Sequence, residues 1–178
     1  MKSIIELVIE NEGGYENLYF SDGTHTKCGI TWEYNEKFFN SCGIFESKGI
    51  ELLSNKNIDK FYMHKFTKNR VYDLPFGLGY QFLDHLINAG RTSAVKILQR
   101  SINLNEILGL LKVDGQYGPK TKKLVELCKN DPEVCEIFKL LRKEDYIDKF
   151  LVKSKKNISH AMNCFKSWRN RIEKRQKA

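Results

Sequence analysis

A glutamate followed by two glycines, Glu12-Gly13-Gly14, limits how this chain can begin to fold. Before it, Ile4, Ile5, Leu7, Val8 and Ile9 recur at the three-to-four spacing of a buried helical face, with Glu6 and Glu10 left for solvent. Glycine reaches positive φ without steric cost, so the pair ends that helix and leaves Glu12 in its last turn. A negative charge there meets the negative end of the helix dipole, an environment that favours an acid holding its proton. The polar loop that follows, Tyr15 to Ile30, contains the only plausible strands, with Tyr19 and Phe20 pairing across an Asp22-Gly23 turn. Such a carboxyl suits general acid catalysis. It is also what an ordinary solvated glutamate near a helix end looks like.

The remainder reads as helices. Thr31 caps a helix that turns Tyr34 and Phe38 inward. Ile50 to Leu53 forms a short helix, and Asn57 to Arg70 a longer one on Ile58, Phe61, Tyr62 and Phe66. His64 beside that face reads as a satisfied surface or core-edge group. The central helix, Gly77 to Ala89, is apolar over much of its circumference and carries Asp84 and Asn88 on one face. Buried polar groups need partners, so this pair either ties helices together or lines a cleft. Gly90 stops that helix, and Thr92 or Ser93 caps the next. Asp114 to Thr121 is a turn in which Pro119 opens a helix, and it reads equally as a plain connector. From Pro132 the chain is helical and increasingly basic, with one apolar stripe through Tyr146, Ile147, Phe150 and Leu151 and another through Ile158, Phe165 and Trp168.

The 178 residues carry a net charge of +8, which favours anionic surroundings. Zinc-finger spacing, an RNP-like aromatic strand and a P-loop are all missing from the sequence, so nucleic acid is not the expected partner and a bacterial wall polymer is preferred. Five cysteines, Cys28, Cys42, Cys128, Cys135 and Cys164, show no metal-ligand or disulfide spacing and read as reduced thiols. No metal and no cofactor is expected. No signal peptide is read in the opening helix and no apolar run is long enough to insert in a membrane, so delivery to a wall is expected to need a holin or dedicated export.

Longer motifs point to a family. EGGY at Glu12, a polar loop and GIT ending at Thr31 resemble the opening of the glycoside hydrolase 108 family of N-acetylmuramidases. DHLINAG (Asp84 to Gly90) is similar to the family's D-x-x-x-N-x-G helix. LQRSIN (Leu98 to Asn103) with VDGQYGPKT (Val113 to Thr121) resembles its C-terminal peptidoglycan-binding segment, and FKSWRNR (Phe165 to Arg171) its closing signature. The sequence departs from the family in one place: ungapped alignment sets Ser21 on the aspartate of the usual D-P-G-G run and Asp22 on its proline.

The resemblance implies a mainly α, lysozyme-like fold with a small β-hairpin after the first helix. Residues 1–92 would form the catalytic region and 93–178 a helical wall-binding region packed on it. It further implies hydrolysis of the β-1,4 bond between N-acetylmuramic acid and N-acetylglucosamine by a monomeric endolysin of a phage or prophage. Glu12 would be the acid, and Asp22, Thr26 or both would position or activate water. Tyr15, Thr31, Asp84, Asn88, Asp114 and Tyr117 would contact peptidoglycan strands. A lytic transglycosylase, a catalytically inert wall-binding module and a basic nucleic-acid binder are the rivals. The first needs a single acid, which the serine at position 21 leaves open.

Overall fold

A computed structural model describes residues 2–16, 18–21, 24–105, 110–155, 158, 161, 162, 166 and 169. Asp22, Cys164, Phe165, Trp168 and Arg171, all named above, lie outside the described residues. The chain divides into two compact units, Met1–Arg70 and Val71–Ala178. The first contains α1 (Ile4–Asn11), strands β1 (Leu18–Ser21), β2 (Thr24–Lys27) and β3 (Ile30–Thr31), α2 (Trp32–Ser41), a 3-10 helix (Ser47–Leu52) and α3 (Asn55–Lys68). The second contains a 3-10 turn (Val71–Asp73), α4 (Phe76–Ala89), α5 (Arg91–Leu104), α6 (Pro119–Leu127) and α7 (Pro132–Ser154). This is the mainly helical, lysozyme-like architecture expected, with its small antiparallel sheet directly after the first helix. The units part between residues 70 and 71 rather than 92 and 93, because α4 packs against α5 and α7 and so falls with them.

α1 is closed at both ends by its own sequence. Ser3 Oγ accepts from the Glu6 amide at 3.2 Å and Glu6 Oε2 accepts from the Ser3 amide at 2.6 Å, so Glu6 caps the helix instead of merely facing water. At the other end the Gly14 N–H reaches the Ile9 carbonyl at 2.9 Å and the Gly13 N–H reaches Glu10 at 3.1 Å. That bond pair is a Schellman motif, and it uses positive φ at both glycines, +92° and +79°. Ile4, Val8 and Ile9 are buried beneath it.

The sheet has the order β1-β2-β3, with Tyr19 opposite Thr26 and Phe20 opposite His25. β2 and β3 are joined by only Cys28 and Gly29, at φ +50° and +71°. Two positive-φ residues are what a type I′ turn requires between strands of right-handed twist. Lys27 Nζ donates to the carbonyls of Glu51 and Leu53 and fastens this hairpin to the 3-10 helix.

Three inward-facing assignments change. Tyr34 is 88% exposed and Phe39 is buried in its place, because α2 is kinked at Asn35 (φ −135°, ψ 23°) and the kink rotates its apolar face. Phe39 stacks with Trp32 at 5.1 Å, while Phe38 meets Phe61 of α3 at 5.0 Å. Thr31 stands at the N-cap of α2 without a side-chain capping bond. In the second unit Ile147 and Leu151 are exposed, since the buried face of α7 runs through Val134, Phe138, Leu141, Arg142 and Tyr146. Neither Thr92 nor Ser93 caps α5; Gly90 holds that position, and Ser93 bonds to His85 instead. Pro119 does open α6.

Gly14→Val should lower the thermal midpoint. A Cβ at Gly14 meets nothing within 4 Å, so the cost is backbone strain alone, about 1–3 kcal/mol. An unchanged midpoint would mean that this cap does not hold the end of α1.

Candidate active site

Glu12 is the C-cap of α1 and only 7% exposed. What covers it is the β2–β3 turn. A Cβ on Gly29 would lie 2.6 Å from Glu12 Oε2 and 2.7 Å from its Cδ, so only a residue without one lets the backbone approach the carboxyl this closely. The turn is itself anchored: the Tyr62 hydroxyl of α3, fully buried, donates to the Cys28 carbonyl at 2.9 Å. The Cys28 thiol is buried in the same place. Burial first, and the Glu12 carboxylate next, push it up to about 12, so it stays a neutral thiol beside the acid. Glu12 is thus fixed from below by a capped helix and from above by a pinned hairpin turn.

The other expected residues of the first unit fall around this turn. Thr26 sits on β2, the strand that runs into the turn, with Oγ1 3.4 Å from Thr31 Oγ1 across the β2–β3 pair. These two hydroxyls are therefore neighbours on one hairpin, both half-buried. Tyr15 lies just past the α1 cap, and its hydroxyl donates to Asp59 Oδ1 of α3 at 2.6 Å. That bond raises the phenol to about 12 and ties the loop to α3. Sequence reasoning missed Gly29, Cys28, Tyr62 and Asp59. A two-residue turn is signalled by Asn-Gly or Asp-Gly; Cys-Gly carries half of that signal.

In the second unit, Asp84 is fully buried and its Oδ2 accepts from Arg142 Nη2 at 2.5 Å. Arg142, also fully buried, donates in addition to Gln81 Oε1 and to the Tyr146 hydroxyl. Asp84 is thereby a brace between α4 and α7. Asn88 is exposed, with Nδ2 donating back to the Asp84 carbonyl at 2.8 Å. Asp114 accepts from Gln99 Nε2 and from the Gln116 amide, both at 2.9 Å; these bonds hold its carboxyl below the usual range. Gln99, buried in α5, organises the loop further by accepting from the Gly115 amide. Tyr117 stands 3.4 Å from Asp73 through its hydroxyl. Among the described residues, no group of three or more His, Cys, Asp or Glu side chains could hold a metal ion.

Two substitutions separate positioning from bracing. Gly29→Ala should cut turnover about a hundredfold, the scale expected when a reacting group moves by about an ångström, since the new methyl must displace the Glu12 carboxyl. A wild-type rate would show that the turn does not set Glu12. Asp84→Asn should instead destabilise the fold by about 3–5 kcal/mol by leaving Arg142 as an uncompensated buried charge. Denaturant titration reads that cost, and a midpoint within error of wild type would contradict it.

The glycosyl hydrolase 108 family model matches residues 5–90, the span that holds α1, the hairpin and α4. No curated protein matches the chain. Among solved structures, that of Brucella abortus SagA is similar over 89% of this chain and 91% of its own, with a TM-score of 0.55 and 23% identity, a likeness of fold. Over residues 5–90, which carry Glu12 and the turn that covers it, the chain matches the glycosyl hydrolase 108 family.

Proposed function

We propose that the protein is a peptidoglycan hydrolase, an N-acetylmuramidase that cleaves the β-1,4 bond between N-acetylmuramic acid and N-acetylglucosamine. The observation that carries this reading is Glu12, a nearly buried carboxyl clamped between the α1 cap and Gly29 within the family-matched span. Protonation of the glycosidic oxygen by Glu12 lets the leaving sugar depart as an alcohol while positive charge develops on the ring. Water then attacks the anomeric carbon.

The group that orients this water is read as Thr26, with Thr31 as its hydrogen-bonding neighbour, acting with Asp22. An inverting enzyme needs its two carboxyl groups about 6.5–9.5 Å apart, and a retaining one about 5–5.5 Å. The basic surface, net charge +8, keeps the enzyme near an anionic wall. Residues 93–178 are read as a wall-binding region, with Asp114 and Tyr117 on its loop. The protein would act as a monomeric endolysin on the wall, in the periplasm or outside the cell.

Glu12→Gln should leave folding nearly unchanged and lower the clearing of purified wall by at least about a hundredfold. Thr26→Ala should cost less, because a hydroxyl only orients water. Retention of most of the lytic rate by Glu12→Gln sinks the assignment. Mass spectrometry of wild-type digests adds the bond: reducing N-acetylmuramic ends support hydrolysis, whereas 1,6-anhydro ends make the enzyme a lytic transglycosylase.

A further inference from the structure

The second unit contains a cavity of about 400 Å³ whose lining includes Ser93, Lys96 and Arg100 from α5 and Asp145, Asp148 and Lys149 from α7. Its size is at the small end of ligand sites, about 300–1,000 Å³, which suits the end of a peptide better than a glycan chain. The charges on its wall are not equally available. Lys149 pairs with Asp145 at 2.5 Å, and Arg100 pairs with Glu144 at 2.9 Å. Lys96 and Asp148 have no ion pair among the described residues. One ammonium and one carboxylate with no ion pair among the described residues therefore line the cavity, each on a different helix. A phosphate dianion would meet a single free cation and a repelling carboxylate. A polyamine would meet Lys96 and Arg100. A molecule with one carboxylate and one ammonium satisfies both groups.

Ser93 adds a hydroxyl to the wall, 3.0 Å from Nε2 of the buried His85. That contact has the look of a nucleophile and its base. Yet burial first, then the Arg142 and Lys149 charges, push His85 down to about 2, which opposes its taking the Ser93 proton, and the Ser93 hydroxyl lies 3.5 Å from Asp145 Oδ1 as well. The imidazole, held on its other side 3.2 Å from the Tyr146 hydroxyl, orients Ser93 as a hydrogen-bonding group.

We propose that this cavity binds the zwitterionic end of a peptidoglycan stem peptide, with Lys96 taking its carboxylate, Asp148 its ammonium and Ser93 a hydrogen bond. The source of the ligand rests on the wall reading above; the charge pattern does not. The site would give the hydrolase a preference for wall whose peptides keep a free amino group and a free carboxylate, that is, uncrosslinked strands.

Calorimetric titration of the full chain with a tripeptide ending in a diamino acid tests this. Saturable binding is expected, and Lys96→Ala and Asp148→Ala, both at exposed positions, should each weaken it about tenfold or more, the scale of one charge-assisted hydrogen bond. Acetylating the peptide's amino group should weaken binding to wild type but change little for Asp148→Ala. No saturable binding by wild type overturns the proposal, as does binding that neither substitution nor acetylation alters. Cleavage of peptide-free glycan oligomers by wild type is a separate measurement. If the glycan is cut and the tripeptide does not bind, the cavity proposal fails alone; if the tripeptide binds and no glycan is cut, the hydrolytic reading fails alone.

Discussion

The approach of the Gly29 backbone to the Glu12 carboxyl is the contact on which the organisation of the first unit depends. Each side of it needs a backbone conformation that most residues resist. Below, α1 ends in a Schellman motif with two successive glycines at positive φ, which leaves Glu12 at the C-cap instead of carrying it on around another turn. Above, a two-residue turn between β2 and β3 brings a residue without a side chain against the carboxyl. The rest of the unit maintains this arrangement. Tyr62 holds the turn by its carbonyl, Lys27 holds the hairpin to the 3-10 helix, and Tyr15 holds the loop to α3 through Asp59.

The two short motifs that mark this region in the sequence, EGGY and GIT, turn out to be the two sides of one contact. Read alone, the first gave the helix end correctly, because glycine pairs are strong punctuation and the 3.6-residue pattern before them is clean. The second was legible only as a resemblance. Cys28 at positive φ is a tertiary outcome: a buried thiol in the left-handed region is held there by the strands on either side and by Tyr62, and local propensity does not announce it. The same limit explains Tyr34. Its helical spacing is right, but the kink at Asn35, whose Nδ2 bonds the Thr31 carbonyl at 2.9 Å, is a local event that periodicity averages away.

In the second unit the limit on what the sequence shows has a different cause. Asp84 was visible as a polar residue in an apolar helix, and its need for a partner followed at once. Its partner did not, because Arg142 lies 58 residues further along and looks like one more basic residue in a basic helix. It falls, however, four residues after Phe138 and four before Tyr146, on the buried face of α7. A cation at core spacing is the signal, and it implies a carboxylate elsewhere in the core. Gln81, Asp84, Arg142, Tyr146 and His85 then form one buried polar chain between α4 and α7. A network of this kind contributes little net stability over an apolar core, and here its bonds tie α4 to α7.

That network also bears on which carboxyl can do chemistry. A general acid must reach the glycosidic oxygen and must be free to change its protonation during turnover. Asp84 lacks that reach, since it is fully buried and paired with Arg142. Asp59 accepts the Tyr15 hydroxyl, and Asp114 is committed to Gln99 and the Gln116 amide, bonds that favour its ionised form and so oppose a role as proton donor. Glu12 differs from all three in where it is placed. It retains slight exposure at the C-cap of α1 and is covered by the Cys28-Gly29 turn, whose thiol is neutral. A carboxyl at the edge of burial, set against a backbone that any side chain would block, is, more than its position in a motif, the physical case for Glu12 as the acid.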